Sequence, residues 1–178
     1  MACNHVSTKA VQDPPPVRAF FFASVLGGGP VNLVLLAITM SADQIRTVVQ
    51  SFYADIWNQR DTSKIALLLS PNFTFRGSLG QTRTGHGGFA SYVDFVHDAV
   101  AGFRCDILEL VVEGSKAFAR MRFSGIHRGE LFGFQPTGKP VEWAGAALFT
   151  FSGGQIADLW VLGDVHALLQ LLAANAQT

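Results

Sequence analysis

Apolar residues recur with helical spacing just after Met40. Ile45, Val48, Val49, Phe52 and Ile56 fall on one side of a helix over 42–58. Ser41 and Gln44 stand three apart before that run, the spacing of a reciprocal N-terminal cap. Asp61 can cap a second, shorter helix, TSKIALLLS, with Pro71 as its stop. NFTFRG then reads as a short strand. Gly87 and Gly88 open a third helix with Phe89, Val93, Val96 and Val100 along one side. Beyond Gly102 the period shortens to two. RCDILELVV and KAFARMRFSGI flank the turn Glu113-Gly114-Ser115, and PVEWAGAALFTF and QIADLWVL flank Ser152-Gly153-Gly154; each is the pattern of a hairpin. Asp164 caps a closing helix carrying Val165, Leu168, Leu169 and Leu172.

Four grouped strands with helices before and after them predict the α+β class, an antiparallel sheet with helices on one face. Long glycine-containing strands can curl. A curled sheet under helices makes a cone-shaped fold with a mouth.

Residues 1–40 differ from the rest. They hold Pro14-Pro15-Pro16 and an apolar stretch from Ala19 to Thr39, interrupted by Gly27, Gly28, Gly29 and Pro30. The length would span a bilayer, but the interruptions make a poor helix. Lys9 and Arg18 precede the stretch as in a signal peptide, without a clean cleavage site after it. The favoured expectation is a non-domain extension over 1–40, either disordered or preceding a true start at Met40, with targeting as the alternative. The domain is expected over 41–175, with no membrane role for 41–178.

Composition narrows the partners. Of 178 residues, 49% are apolar and 15% charged, and thirteen basic side chains balance thirteen acidic ones. Without a basic face, nucleic acid is disfavoured. The apolar excess points to a cavity or an interface. Cys3 and Cys105 exclude a disulfide framework and a cysteine zinc site, and Cys105 reads as a buried hydrophobe. A cytoplasmic location is expected, with secretion open. His86, His97 and His166 show no ligand spacing, so no metal is expected.

GFQPTGKP, residues 133–140, imitates a phosphate loop, yet Pro140 stands where Ser or Thr is required and a strand follows where a helix is needed. It reads instead as a wide connection between two strands, with Pro136-Thr137-Gly138 turning the chain and Lys139 solvated.

The run His127-Arg128-Gly129-Glu130-Leu131-Phe132-Gly133, then Pro136-Thr137-Gly138-Lys139-Pro140-Val141, then Gly145, Phe149 and Gly153-Gly154-Gln155-Ile156, resembles the SnoaL-like polyketide cyclases of the nuclear-transport-factor-2-like superfamily. FYADIWNQRD, LLSPNFTFRG and GHGGFASYV extend the resemblance across about 41–172. It implies a cone-shaped α+β barrel, often a homodimer through its sheet, and a pocket for a small apolar molecule. It also implies cofactor-free, metal-free ring closure by intramolecular aldol condensation, with a carboxylate on the last strand as acid and base.

One departure matters. Laid on the family pattern, the cyclase aspartate falls at Val161, a histidine two residues earlier at Leu159, and a further histidine at Ala147. Leu159 and Val161 share a face by strand alternation. A valine can neither take nor give the protons that ring closure needs. His127, at a family histidine position, is then the remaining candidate acid–base group near the mouth, or else a residue that fixes the turn. Asp158 is a weaker catalytic candidate; alternation turns it away from the pocket, where Arg120 or Arg122 can pair with it. The resemblance puts Trp57 where cyclases place a ligand-touching aromatic, with Phe75, Trp143 and Phe149 able to join it. Trp160 reads as core or dimer interface. The functions this leaves open are an ester or polyketide cyclase, a non-catalytic binding or dimerisation module, and an isomerase or dehydratase on the same cone.

Overall fold

The computed structural model describes residues 39–78 and 82–177. The expectations for 1–38 lie outside these residues; Met40 is half-buried against the core. Helix α1 spans Ala42–Ser51. Its capping box is formed: the Gln44 amide donates to Ser41 Oγ at 3.2 Å and the Ser41 amide to Gln44 Oε1 at 2.8 Å. The helix does not continue as expected. Phe52–Asn58 is wound as a π-helix. This wider turn leaves two adjacent pairs, Phe52 with Tyr53 and Ile56 with Trp57, all buried.

A 3₁₀ turn at Thr62–Lys64 leads into the one-turn helix α2, Ile65–Leu68. Strand β1 spans Leu69–Arg76, β2 Thr82–Thr84, and helix α3 Gly85–Ala99. Pro71 therefore lies inside a strand rather than at a helix stop. The strands β3 (Val100–Glu113), β4 (Lys116–His127), β5 (Pro140–Ser152) and β6 (Gln155–Gly163) are the two expected hairpins. Helix α4, Val165–Ala176, starts where Asp164 accepts a hydrogen bond from the Ala167 amide at 2.9 Å.

The six strands form one curved, unclosed sheet in the order β2-β1-β6-β5-β4-β3. All neighbours are antiparallel except β1 and β6, which run parallel with Phe75 opposite Leu159. Register shifts in β3 between Ala101 and Arg104, and between Ile107 and Glu109, bend the sheet. Gly102 sits in the first of these with φ +62°, a conformation costly for a residue with a Cβ. Alternation in β4 is clean: Ala117, Ala119, Met121 and Phe123 are buried while Lys116, Phe118, Arg120 and Arg122 are exposed. The concave face carries the core, covered by α1, the π-helical segment and α3.

The 128–139 connection folds back on the sheet. The amides of Arg128 and Gly129 both donate to the Ala99 carbonyl, at 2.9 and 3.0 Å. A Cβ on Gly129 would stand 2.6 Å from the Asp98 carbonyl oxygen, which accounts for glycine at this motif position. Lys139 is not a free solvated side chain: its Nζ donates to the Asn175 carbonyl at 2.9 Å, at the C-terminal end of α4. Carbonyls there lack intrahelical donors and attract cations. No phosphate cradle exists here, since Gly138 N–H is bonded to the His127 carbonyl at 2.8 Å and a strand follows. Among the described residues, no helix is long and apolar enough to cross a membrane.

Candidate functional site

The wide π turn, α3 and the concave side of the sheet do not meet completely. Between them lies a cavity of about 480 Å³, counted out to its mouth. Fourteen described residues line it, and eight are aromatic. The π segment supplies Phe52, Tyr53 and Trp57; β1 and the turn after it supply Phe75, Gly77 and Ser78; α3 supplies Tyr92 and Val96. The sheet supplies Phe103, Cys105, Phe123, Trp143, Leu159 and Val161. The rings meet edge to face or tilted: Trp57 to Phe103 at 5.5 Å, Phe103 to Trp143 at 5.8 Å, Phe123 to Trp143 at 5.5 Å and Phe75 to Tyr92 at 5.0 Å.

Two polar devices hold the π segment in place. The Asn58 side chain grips β3 through both backbone polar groups of one residue: Nδ2 donates to the Cys105 carbonyl at 3.1 Å, and Oδ1 accepts from the Cys105 amide at 2.7 Å. His97 on α3 donates through Nε2 to the Trp57 carbonyl at 2.8 Å and stacks on the Trp57 ring. Burial holds the His97 pKa below the usual imidazole value, a push that this hydrogen bond opposes. Trp57 is thus fixed from both sides.

The lining includes no Asp, Glu, His, Lys or Arg among the described residues. Its polar atoms belong to neutral groups. Ser78 Oγ is engaged, accepting from the Gly163 amide at 2.7 Å. Burial pushes the Cys105 thiol well above its ordinary range, with a further push from Asp106, so it stays protonated and a poor nucleophile. Burial raises the Tyr92 phenol despite the opposing charge of Arg83, and raises the Tyr53 phenol further.

Of the residues singled out in the sequence, Trp57, Phe75, Trp143, Leu159 and Val161 come together on this cavity wall. Ala147 and Phe149 do not reach it. Both are fully buried, and Phe149 is packed under Phe52 and Tyr53 with ring centroids at 5.6 and 5.9 Å. His127 is also absent from the lining. It is fully buried at the end of β4, with Nδ1 3.2 Å from Thr137 Oγ1, its amide on the Lys139 carbonyl and its own carbonyl on Gly138 N–H. These contacts come about because the connection wraps over the strand end.

Asp158 faces away from the cavity, but it does not pair with Arg120 or Arg122. Its carboxylate accepts from Thr74 Oγ1, because β1 lies beside β6 and sets Thr74 opposite it. Arg120 pairs with Glu109 and Arg122 with Asp106, one strand further out. His86 does not edge the cavity either; its Nε2 lies 3.0 Å from the carbonyl oxygens of Leu69 and Ser70. Sequence reading missed Tyr53, Tyr92, Phe103 and Phe123 as wall residues. The signal for Tyr53 was present: it stands four before Trp57, as Phe52 stands four before Ile56, so a broad inward face was readable.

A curved, unclosed sheet roofed by helices over this cavity is an α+β cone. The SnoaL-like polyketide cyclase pattern matches residues 47–172, and the chain belongs to that family. Similar solved structures share the fold. TsrD from Streptomyces laurentii is 25% identical over 76% of this chain and 98% of its own, with a TM-score of 0.68. A candidate SnoaL-like polyketide cyclase from Jannaschia sp. CCS1 is 19% identical over 76% and 96%, with a TM-score of 0.70. AclR from Streptomyces galilaeus, a candidate hydroxylase, is 21% identical over 75% and 87%, with a TM-score of 0.66. No curated protein sequence matches the chain significantly.

Proposed function

We propose that this chain binds a flat, apolar, carbonyl-bearing small molecule in the aromatic cavity and supplies no acid–base pair for ring closure. The observation that carries this reading is the lining itself: eight aromatic residues, and no ionisable carboxylate or imidazole among the described wall positions. Aromatic walls suit planar apolar ligands. By the resemblance Val161 and Leu159 fall where the cyclases carry polar groups, and both are on the wall. An isomerase or dehydratase site would need a base beside the acid, and the described lining offers none.

The family match supports a second reading, a cyclase that works by folding its substrate. A polyketide chain has acidic methylene groups between carbonyls, so water can take the proton while the cavity brings the reacting carbons together. Such positioning alone can supply several orders of magnitude of rate.

The binding reading is tested by titrating the full-length protein with indane and following Trp57 and Trp143 fluorescence. Saturable binding of one indane per chain is the expected result. Absence of saturation by both indane and 1-indanone, up to their solubility limits, would contradict the proposal.

The outer face of the sheet fits a second copy of the chain. Val111, Phe118, Leu148, Trp160 and Arg76 lie in register across five strands. Val111 is 62% exposed and Phe118 44%. Leu162, at 51%, adds to the row beside Trp160. Four of these five are apolar, with the Arg76 guanidinium at the end of the row over the Trp160 ring, and an exposed apolar row on a sheet face is typical of an interface. Phe118→Asp places a charge on the band without touching the core and is expected to convert a dimer to a monomer in native mass spectrometry. A variant with the same subunit number as the parent would show that this face is not the interface.

A further inference from the structure

Among the described residues, three buried side-chain polar atoms have no hydrogen-bond partner: Tyr53 Oη, one guanidinium nitrogen of Arg76, and His127 Nε2. Only Tyr53 belongs to the cavity wall. A buried donor with no acceptor is costly, and such atoms are rare in folded proteins. The surroundings of Tyr53 offer it no alternative. Its ring packs against Phe52 and Phe149, and the thiol of Cys105, also on the wall, is near enough to influence its ionisation. Resting on the proposed binding of an apolar molecule, we infer that Tyr53 is the polar anchor of the site: its phenol donates a hydrogen bond to a carbonyl oxygen of the bound molecule.

The chemistry of the wall limits what the acceptor can be. With no Lys, Arg or His in the described lining, a carboxylate or phosphate would be buried without a counter-charge. The acceptor is therefore neutral. A carbonyl conjugated to a ring lies in the plane of that ring, so a ligand lying against the wall formed by Trp57, Phe103 and Trp143 can present its oxygen edge-on to a neighbouring phenol. Tyr53 stays a donor throughout the neutral range, since burial pushes its ionisation far upward. The π-helical winding brings the residue to this position, because it turns Tyr53 inward together with Phe52.

The test uses two probes of one shape, 1-indanone and indane, with the full-length protein and its Tyr53→Phe variant. The wild type is expected to favour the ketone on the order of tenfold, the size of one hydrogen bond to an otherwise unsatisfied buried donor. In the variant this preference is expected to fall to about equal binding, while indane affinity holds and reports an intact cavity. In parallel, 1-indanone carrying ¹³C at its carbonyl is expected to show a lower carbonyl stretching frequency when bound to the wild type, and to lose that shift in Tyr53→Phe. Equal affinity for both probes in the wild type would overturn the assignment while leaving the pocket reading in place. So would a ketone preference that survives in the variant, the result expected if another donor holds the carbonyl. Binding of neither probe would overturn the pocket reading and this inference with it.

Discussion

Phe89→Ala is expected to destabilise the chain by about 3–5 kcal/mol, the cost of deleting a fully buried aromatic ring. Phe89 sits on α3 with no exposed surface and contacts four rings: Phe75 at 5.2 Å, Phe73 at 5.3 Å, Phe52 at 5.7 Å and Trp57 at 5.8 Å. Three of those four, Phe52, Trp57 and Phe75, also form the cavity wall. The space left by the ring thus opens behind the wall and enlarges the pocket. Indane should stabilise the variant more than it stabilises the parent, because a ligand that binds the folded state alone adds stability that rises with the logarithm of its affinity. Denaturant unfolding with and without indane measures both effects. An equal increment in parent and variant would show that the hole and the pocket are separate.

Trp57→Ala carries a comparable folding cost, about 3–5 kcal/mol, with the opposite effect on ligand. Trp57 is 6% exposed and packs on Phe89, Tyr92, Phe103 and His97. Its indole forms one side of the cavity, so its loss removes apolar contact from the ligand directly. Half the surface of one large ring is worth roughly 2 kcal/mol, more than a tenfold loss of indane affinity. The stabilisation that indane gives the parent should then largely disappear. Calorimetric titration checks this, and Trp57→Phe, which keeps a ring in place, should recover part of the affinity. Full indane affinity in Trp57→Ala would remove Trp57 from the site.

Much of this fold was legible because local signals agreed with the long-range ones. The Ser41–Gln44 cap, the two glycine turns at 113–115 and 152–154, and the Asp164 cap are short-range chemistry, and each appears where the residues put it. The parallel pairing of β1 with β6 was not legible. Thr74 and Asp158 are 84 residues apart, and the short run NFTFRG carries no mark of its partner. That pairing also decided the fate of Asp158, whose neighbour became Thr74 instead of an arginine. The π winding of Phe52–Asn58 was hidden because Phe52 and Ile56 fit an α-helical stripe equally well.

At the site, strand alternation was enough to put Leu159 and Val161 on one inward face. The same rule said nothing of depth. Phe149 points inward like its neighbours but lies under Phe52 and Tyr53, which close it off from the cavity. His127 drew attention as a titratable group in a recognisable motif, yet it lies outside the cavity lining, because Thr137, Gly138 and Lys139 fold back onto it. Of the nine wall residues that sequence reading missed, five are aromatics, which a sequence cannot sort into core and cavity without knowing where the helices fail to cover the sheet.

The account stands most directly on what the aromatic cavity holds. A crystal of the full-length protein soaked with 5-bromo-1-indanone would locate the ligand by the anomalous signal of its bromine. The predicted result is a single bromine peak between Trp57, Phe75 and Trp143, with the carbonyl oxygen at hydrogen-bond distance from Tyr53 Oη. A bromine found only on the outer surface, with the cavity unoccupied, would contradict it.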